Sequence, residues 1–107
     1  MALWRIADLP EGALAAAGAF HQRVLPGLRA EIEARRAPLT LLFAPADPTH
    51  HAWRLAVVQG LAREYAPVRV NALVGVAEAD IAAAHAFLDS AEAITGQILY
   101  LDRGAVV

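Results

Sequence analysis

Leu39-Thr40-Leu41-Leu42-Phe43-Ala44 is an almost unbroken apolar run with Pro38 before it and Pro45 after it. Such a run is the mark of a central parallel strand, covered on both faces, whereas a half-exposed strand alternates apolar with polar residues. The flanking prolines set its limits, because proline donates nothing to a strand ladder. A chain built around this strand needs neighbours on both edges and a layer on each side.

The surrounding pattern supplies those neighbours. Residues 2–7 read as a short strand through Leu3, Trp4 and Ile6, and Asp8-Leu9-Pro10 ends it. Asp8 is expected to cap the next helix, with Pro10 and Glu11 in its first turn. Residues 12–36 read as a long helix whose apolar stripe is Leu14, Ala17, Phe20, Val24, Leu28 and Ile32. Pro26-Gly27 predicts a kink or a break within it. Arg35 and Arg36 suit its negative end. Residues 50–65 form the next helix, with Trp53, Ala56, Val57, Gly60, Leu61 and Glu64 in helical register. Residues 68–74 form a strand, and a helix from Glu78 or Asp80 to Ser90 follows, with Ile81, Ala84, Phe87 and Leu88 on its apolar side. Thr95-Gly96 turns the chain into a last strand over residues 97–102. The order is β-α-β-α-β-α-β, which means a four-stranded parallel sheet with crossover helices in one α/β domain over residues 1–107.

Composition narrows the chemistry. All nine basic residues are arginine and there is no cysteine. Lysine-based mechanisms, thiol nucleophiles and cysteine-held zinc are thereby excluded. The net charge is −2 with no basic stripe, which argues against nucleic acid. The first residues do not read as a signal peptide, and no apolar run approaches a membrane span, so cytoplasmic residence is the expectation. Hydrophobic residues make up 58%, more than a domain this small readily buries, and a partner surface is expected.

Two stretches are distinctive. Leu61-Ala62-Arg63-Glu64-Tyr65-Ala66-Pro67 runs into Arg69-Val70-Asn71-Ala72, and Ile94-Thr95-Gly96-Gln97 precedes a strand that ends at Asp102. Both resemble the C-terminal half of the short-chain dehydrogenase/reductase family. Ala19-Phe20 and Val24-Leu25-Pro26 add a weaker match. The resemblance implies a small, truncated Rossmann-like domain. The departures argue against the dehydrogenase reaction. There is no Gly-rich turn opening a helix, so no dinucleotide cofactor is expected. Counting back from Glu64 puts Asp47 and His51 at the family's Tyr-x-x-x-Lys positions, and a shifted register puts His51 and Leu55 there. Neither restores the pair. Val74-Gly75-Val76 stands where the family often has Pro-Gly.

Asp47, His50 and His51 form the one dense polar cluster, on the loop leaving the central strand at the edge where parallel sheets build sites. Asp47 and His51 are the candidate acid/base residues of a small enzyme, or polar groups of a ligand-binding crevice. The plainer reading is a helix start, capped by Asp47 or Thr49, with both histidines exposed. Adjacent histidines point apart on a helix, so no metal site is expected. His21 and His85 read as surface or interface histidines. Asn71 reads as a buried hydrogen-bonding hub, Asp102 as the anchor of the tail, and Arg35-Arg36 as a solvated helix end.

Sequential right-handed crossovers would place every helix on one face of the sheet. The other face of residues 39–44 would then need the last helix, the tail or a second chain. In the resembled family the two helices beside the central strand also form a dimer interface. A symmetric homodimer through helices 12–36 and 50–65 is therefore expected, with pairing to a full-length short-chain dehydrogenase relative as the alternative. The overall expectation is a non-catalytic interaction or accessory domain.

Overall fold

The computed structural model describes residues 2–101. Four parallel strands lie side by side in chain order: β1 (Ala2–Arg5), β2 (Leu39–Phe43), β3 (Val70–Val74) and β4 (Ile98–Tyr100). The apolar run is indeed central. Leu39 pairs with Ala2 on one side and Val70 on the other, and Thr40 with Leu3 and Asn71. All five residues of β2 and all five of β3 are buried. All four strands are shorter than the pattern implied, β2 by the single residue Ala44. Asp102 and the tail lie outside the described residues.

The strands' alternation sorts their side chains onto two layers. Leu39, Leu41, Phe43, Val70, Ala72 and Val74 face the larger core, under α1 (Ala13–Ala19), α2 (Leu25–Arg35) and α3 (His51–Glu64). Leu42 and Leu73 face a smaller core under Ile81 and Leu88 of α4 (Glu78–Ser90). The expectation of all helices on one face is thus corrected. The strands step in one direction while α4 sits on the opposite layer. The β3–α4–β4 crossover therefore has the opposite hand to the two before it, against the usual preference. Leu42 and Leu73 need cover that β2 and β3 cannot give themselves. Arg69 fixes α4 in place by donating to the Leu88 and Ala91 carbonyls at 2.8 and 3.0 Å and to the Asp89 carbonyl at 3.1 Å. These carbonyls lie at the C-terminal end of α4, where the helix's own i→i+4 bonding runs out.

The long N-terminal helix is interrupted earlier than Pro26. Residues Phe20–Val24 form a π-helical turn, closed by Leu25 N–H donating to the Phe20 carbonyl. Pro26 then falls in the first turn of α2, where its missing N–H costs nothing. One extra residue per turn also rotates the stripe. Ala16, Ala19 and Phe20 are buried, whereas Leu14 is 89% exposed and drops out of the predicted apolar stripe. Helix α2 ends at Arg36 in the left-handed conformation, with its N–H on the Ile32 carbonyl.

The two distinctive stretches prove to be one hydrogen-bonded unit. Asn71, 2% exposed, donates to the Ile94 carbonyl and accepts from Gln97 N–H, both at 3.0 Å. Val70 N–H donates to Thr95 Oγ1 at 3.0 Å, and Gly96 N–H to the Val70 carbonyl at 2.7 Å. Gly96 has φ of +75° and lies against Gln59 and Ala62 of α3. That conformation favours glycine over any residue with a Cβ.

Candidate functional site

The C-terminal edge of β1 and β2 opens into a crevice of about 450 Å³. Two loops form its walls, residues 6–11 after β1 and residues 44–47 after β2. Ala16, Phe43, His50 and Arg54 line it between them. Asp8 does not cap a helix. It holds a left-handed conformation (φ 62°) within the first loop, and helix α1 starts only after Gly12, whose carbonyl accepts from Ala16 N–H. Aspartate tolerates that conformation better than most residues.

The predicted polar cluster is dispersed. Asp47 takes up the capping role. Its Oδ1 accepts from Thr49 N–H at 2.8 Å and from the Thr49 hydroxyl, and a single 3₁₀ turn (Pro48–His50) leads into α3. The Thr49 hydroxyl, then the Thr49 N–H, hold the Asp47 carboxyl below the usual carboxylate range.

His50 was expected to be exposed but is buried, at 4%. Trp53 Nε1 donates to its Nδ1 at 3.2 Å, and its Nε2 bonds the Glu11 carbonyl at 2.8 Å. The Trp53 donor requires Nδ1 to accept, so Nε2 carries the proton toward Glu11. His50 is a pin between α3 and the first loop. His51 points elsewhere and pairs through Nδ1 with the Tyr100 hydroxyl of β4. Asp47 borders the crevice, His51 is not among its lining residues, and each has a partner.

The remaining histidines are scattered. His21 Nδ1 bonds the Ala17 carbonyl at 2.7 Å on the surface. His85 is half-buried on α4, its Nε2 without a partner among the described residues. Arg35 pairs with Glu31 one turn earlier, and both Arg35 and Arg36 are exposed. No group of three metal-ligating side chains occurs among the described residues.

The residue that sequence reasoning passed over is Arg54. It is 6% exposed, and among the described residues it has no ion-pair or hydrogen-bond partner. Its Nε is fully enclosed. Its guanidinium carbon lies 4.6 Å from the Phe43 ring centroid and 5.9 Å from that of Trp53. Phe20 joins Phe43 and Trp53 in an aromatic cluster with centroids 5.4–6.0 Å apart. Burial pulls the Arg54 guanidinium below its ordinary value, the Tyr100 hydroxyl acting in the opposite direction.

A signal was present in the chain. The inward face of α3 is Arg54, Val57, Val58, Leu61 and Ala62, rotated from the predicted register. Arg54 stands in that stripe, and no carboxylate occupies the positions three and four residues on either side.

The arrangement of parallel strands, crossover helices and a crevice at the strand ends, joined to the Arg-Val-Asn and Thr-Gly-Gln segments, agrees with one further comparison. A family model described as short chain dehydrogenase-like protein matches residues 4–101. The chain belongs to this family. No curated protein and no solved structure matches it. The matched span includes both segments of the hydrogen-bonded Asn71 unit. The family match assigns no role to Arg54. No helix among the described residues is long and apolar enough to cross a membrane.

Proposed function

We propose that this short chain dehydrogenase-like chain is a non-catalytic cytoplasmic interaction module that works as a homodimer. The observation that supports a non-catalytic role is the state of the proton-carrying groups at the strand edge. Asp47 is spent on Thr49, His50 on Glu11 and Trp53, and His51 on Tyr100. With no lysine in the chain, nothing replaces the family's catalytic pair. A general acid or base has to reach the proton it transfers, and each of these groups is engaged by a neighbour within its own chain.

The outer side of α2 and α3 supports the dimer. A groove between them is lined by His21, Leu25, Arg29, Ala56, Gly60 and Glu64. Arg29 bonds Glu64 through both terminal nitrogens at 2.9 and 2.6 Å and ties the two helices together. A Cβ at Gly60 would meet nothing within 4 Å, so a second copy of this face can approach closely. An isologous contact places the same groove on both copies.

Light scattering on the eluting protein tests the proposal. Wild type is expected at twice the chain mass, and Gly60→Arg at the monomer mass with cooperative melting retained at a lower, concentration-independent temperature. NAD(H) and NADP(H) are expected to leave melting unchanged. A wild-type monomer at all concentrations would sink the dimer. A dinucleotide-induced rise in melting temperature would sink the non-catalytic reading.

A further inference from the structure

We propose that the crevice between the β1–α1 and β2–α3 loops binds a small monocarboxylate with an apolar body, its carboxylate seated on Arg54. The site is separate from the dimer groove and does not depend on it.

A buried cation without a counter-charge is costly, and proteins that keep one ordinarily pair it. Arg54 has no such partner among the described residues, and its enclosed Nε has no acceptor. None of the three carboxylates that border the crevice, Asp8, Glu11 and Asp47, forms an ion pair with Arg54 among the described residues. Asp47 is bound to Thr49, the Glu11 carbonyl to His50, and His50 to Trp53. The guanidinium stacks on Phe43, which leaves its planar edge to donate. It borders an open volume of about 450 Å³, within the range of small-molecule sites. A bidentate carboxylate supplies the two acceptors that a guanidinium edge matches.

The rest of the crevice selects among anions. Ile6, Leu9, Ala16 and Phe43 give apolar wall to one body. Asp8, Glu11 and Asp47 also border it, three carboxylates against one guanidinium. A phosphate dianion or a pyrophosphate meets repulsion from these acids. A single negative charge at Arg54, with carbon rather than charge toward the loops, is accommodated.

The test uses the full chain with acetate, butyrate and benzoate as probes, inorganic phosphate and NAD as competitors, and chloride held constant. Binding is read by melting temperature and by the Nε–H resonance of Arg54. In wild type the carboxylates are expected to raise the melting temperature and move that resonance, with benzoate tighter than acetate. Arg54→Gln is expected to weaken benzoate binding about tenfold or more, the loss of a charge-assisted contact. Asp8→Asn is expected to strengthen it. An Arg54→Gln variant that binds benzoate as wild type does overturns the proposal. So does an Nε–H resonance that none of the carboxylates moves, a reading that holds even if the variant fails to fold. Phosphate or NAD binding in preference to benzoate also overturns it, and assigns the crevice to phosphates. Weakened binding in Asp8→Asn shows that the acid belongs to the site and overturns the selection argument.

Discussion

Asn71 and Arg54 are both buried polar side chains beside the sheet, and their surroundings are opposite. Asn71 has its amide and its carbonyl matched at 3.0 Å by the Ile94 carbonyl and the Gln97 N–H. Arg54 has aromatic faces around it and no acceptor among the described residues. A satisfied buried amide fixes a unique arrangement of loop and strand. An unsatisfied buried cation contributes nothing comparable to the fold, so its presence is better understood through what can enter the crevice. The difference separates the part of the molecule that specifies structure from the part that is left open.

The comparison can be broken most decisively at Asn71. Asn71→Leu leaves the Ile94 carbonyl and the Gln97 N–H buried without partners and is expected to cost about 2–4 kcal/mol in urea unfolding. A loss well below that range would mean water replaces the amide and the hub is dispensable. Gly96→Ala puts a Cβ into a left-handed position against Ala62 and should cost about 1–2 kcal/mol. An unchanged midpoint there would show that the loop can relax.

Arg54→Met sharpens the contrast. It keeps the packing on Phe43 and removes the unpaired charge. Stability is expected to be unchanged or raised by up to about 1 kcal/mol without ligand. A destabilisation matching Asn71→Leu would reveal a partner for Arg54 and abolish the distinction.

The smallest effect lies at the crevice rim. The Asp47 carboxyl is held below its usual range, so its contribution is present above the unfolded-state value and lost as pH falls through the folded one. Asp47→Asn should melt slightly below wild type at neutral pH, and the gap should close on acidification. A gap that widens in acid would reverse the assigned sign.

Local chemistry made much of the fold legible. Proline-bounded Leu39–Phe43 announced a central strand, and Asn71 among apolar neighbours announced a buried hydrogen-bonding hub. Legibility failed where a single inserted residue or a non-local contact decided the outcome. The π turn at Phe20–Val24 rotated the N-terminal stripe and expelled Leu14, because one extra residue per turn changes which side chains face inward. The cluster at the strand edge failed similarly. Asp47, His50 and His51 are neighbours in sequence, but their partners lie on three different segments, at Thr49, Glu11 and Tyr100. Arg54 was passed over because its place in the buried stripe shows only once the register of α3 is known.

The sequence by itself determined the order of elements, the parallel sheet, the loss of the family's lysine-dependent chemistry and the capping role available to Asp47. These rest on periodicity, turn residues and the presence or absence of functional groups, all properties of short stretches. Only the tertiary structure decided that α4 covers the second face, that His50 is a pin and that Arg54 is an enclosed cation without a partner among the described residues. Burial and pairing depend on which distant segments meet, and that is set by packing across the sheet.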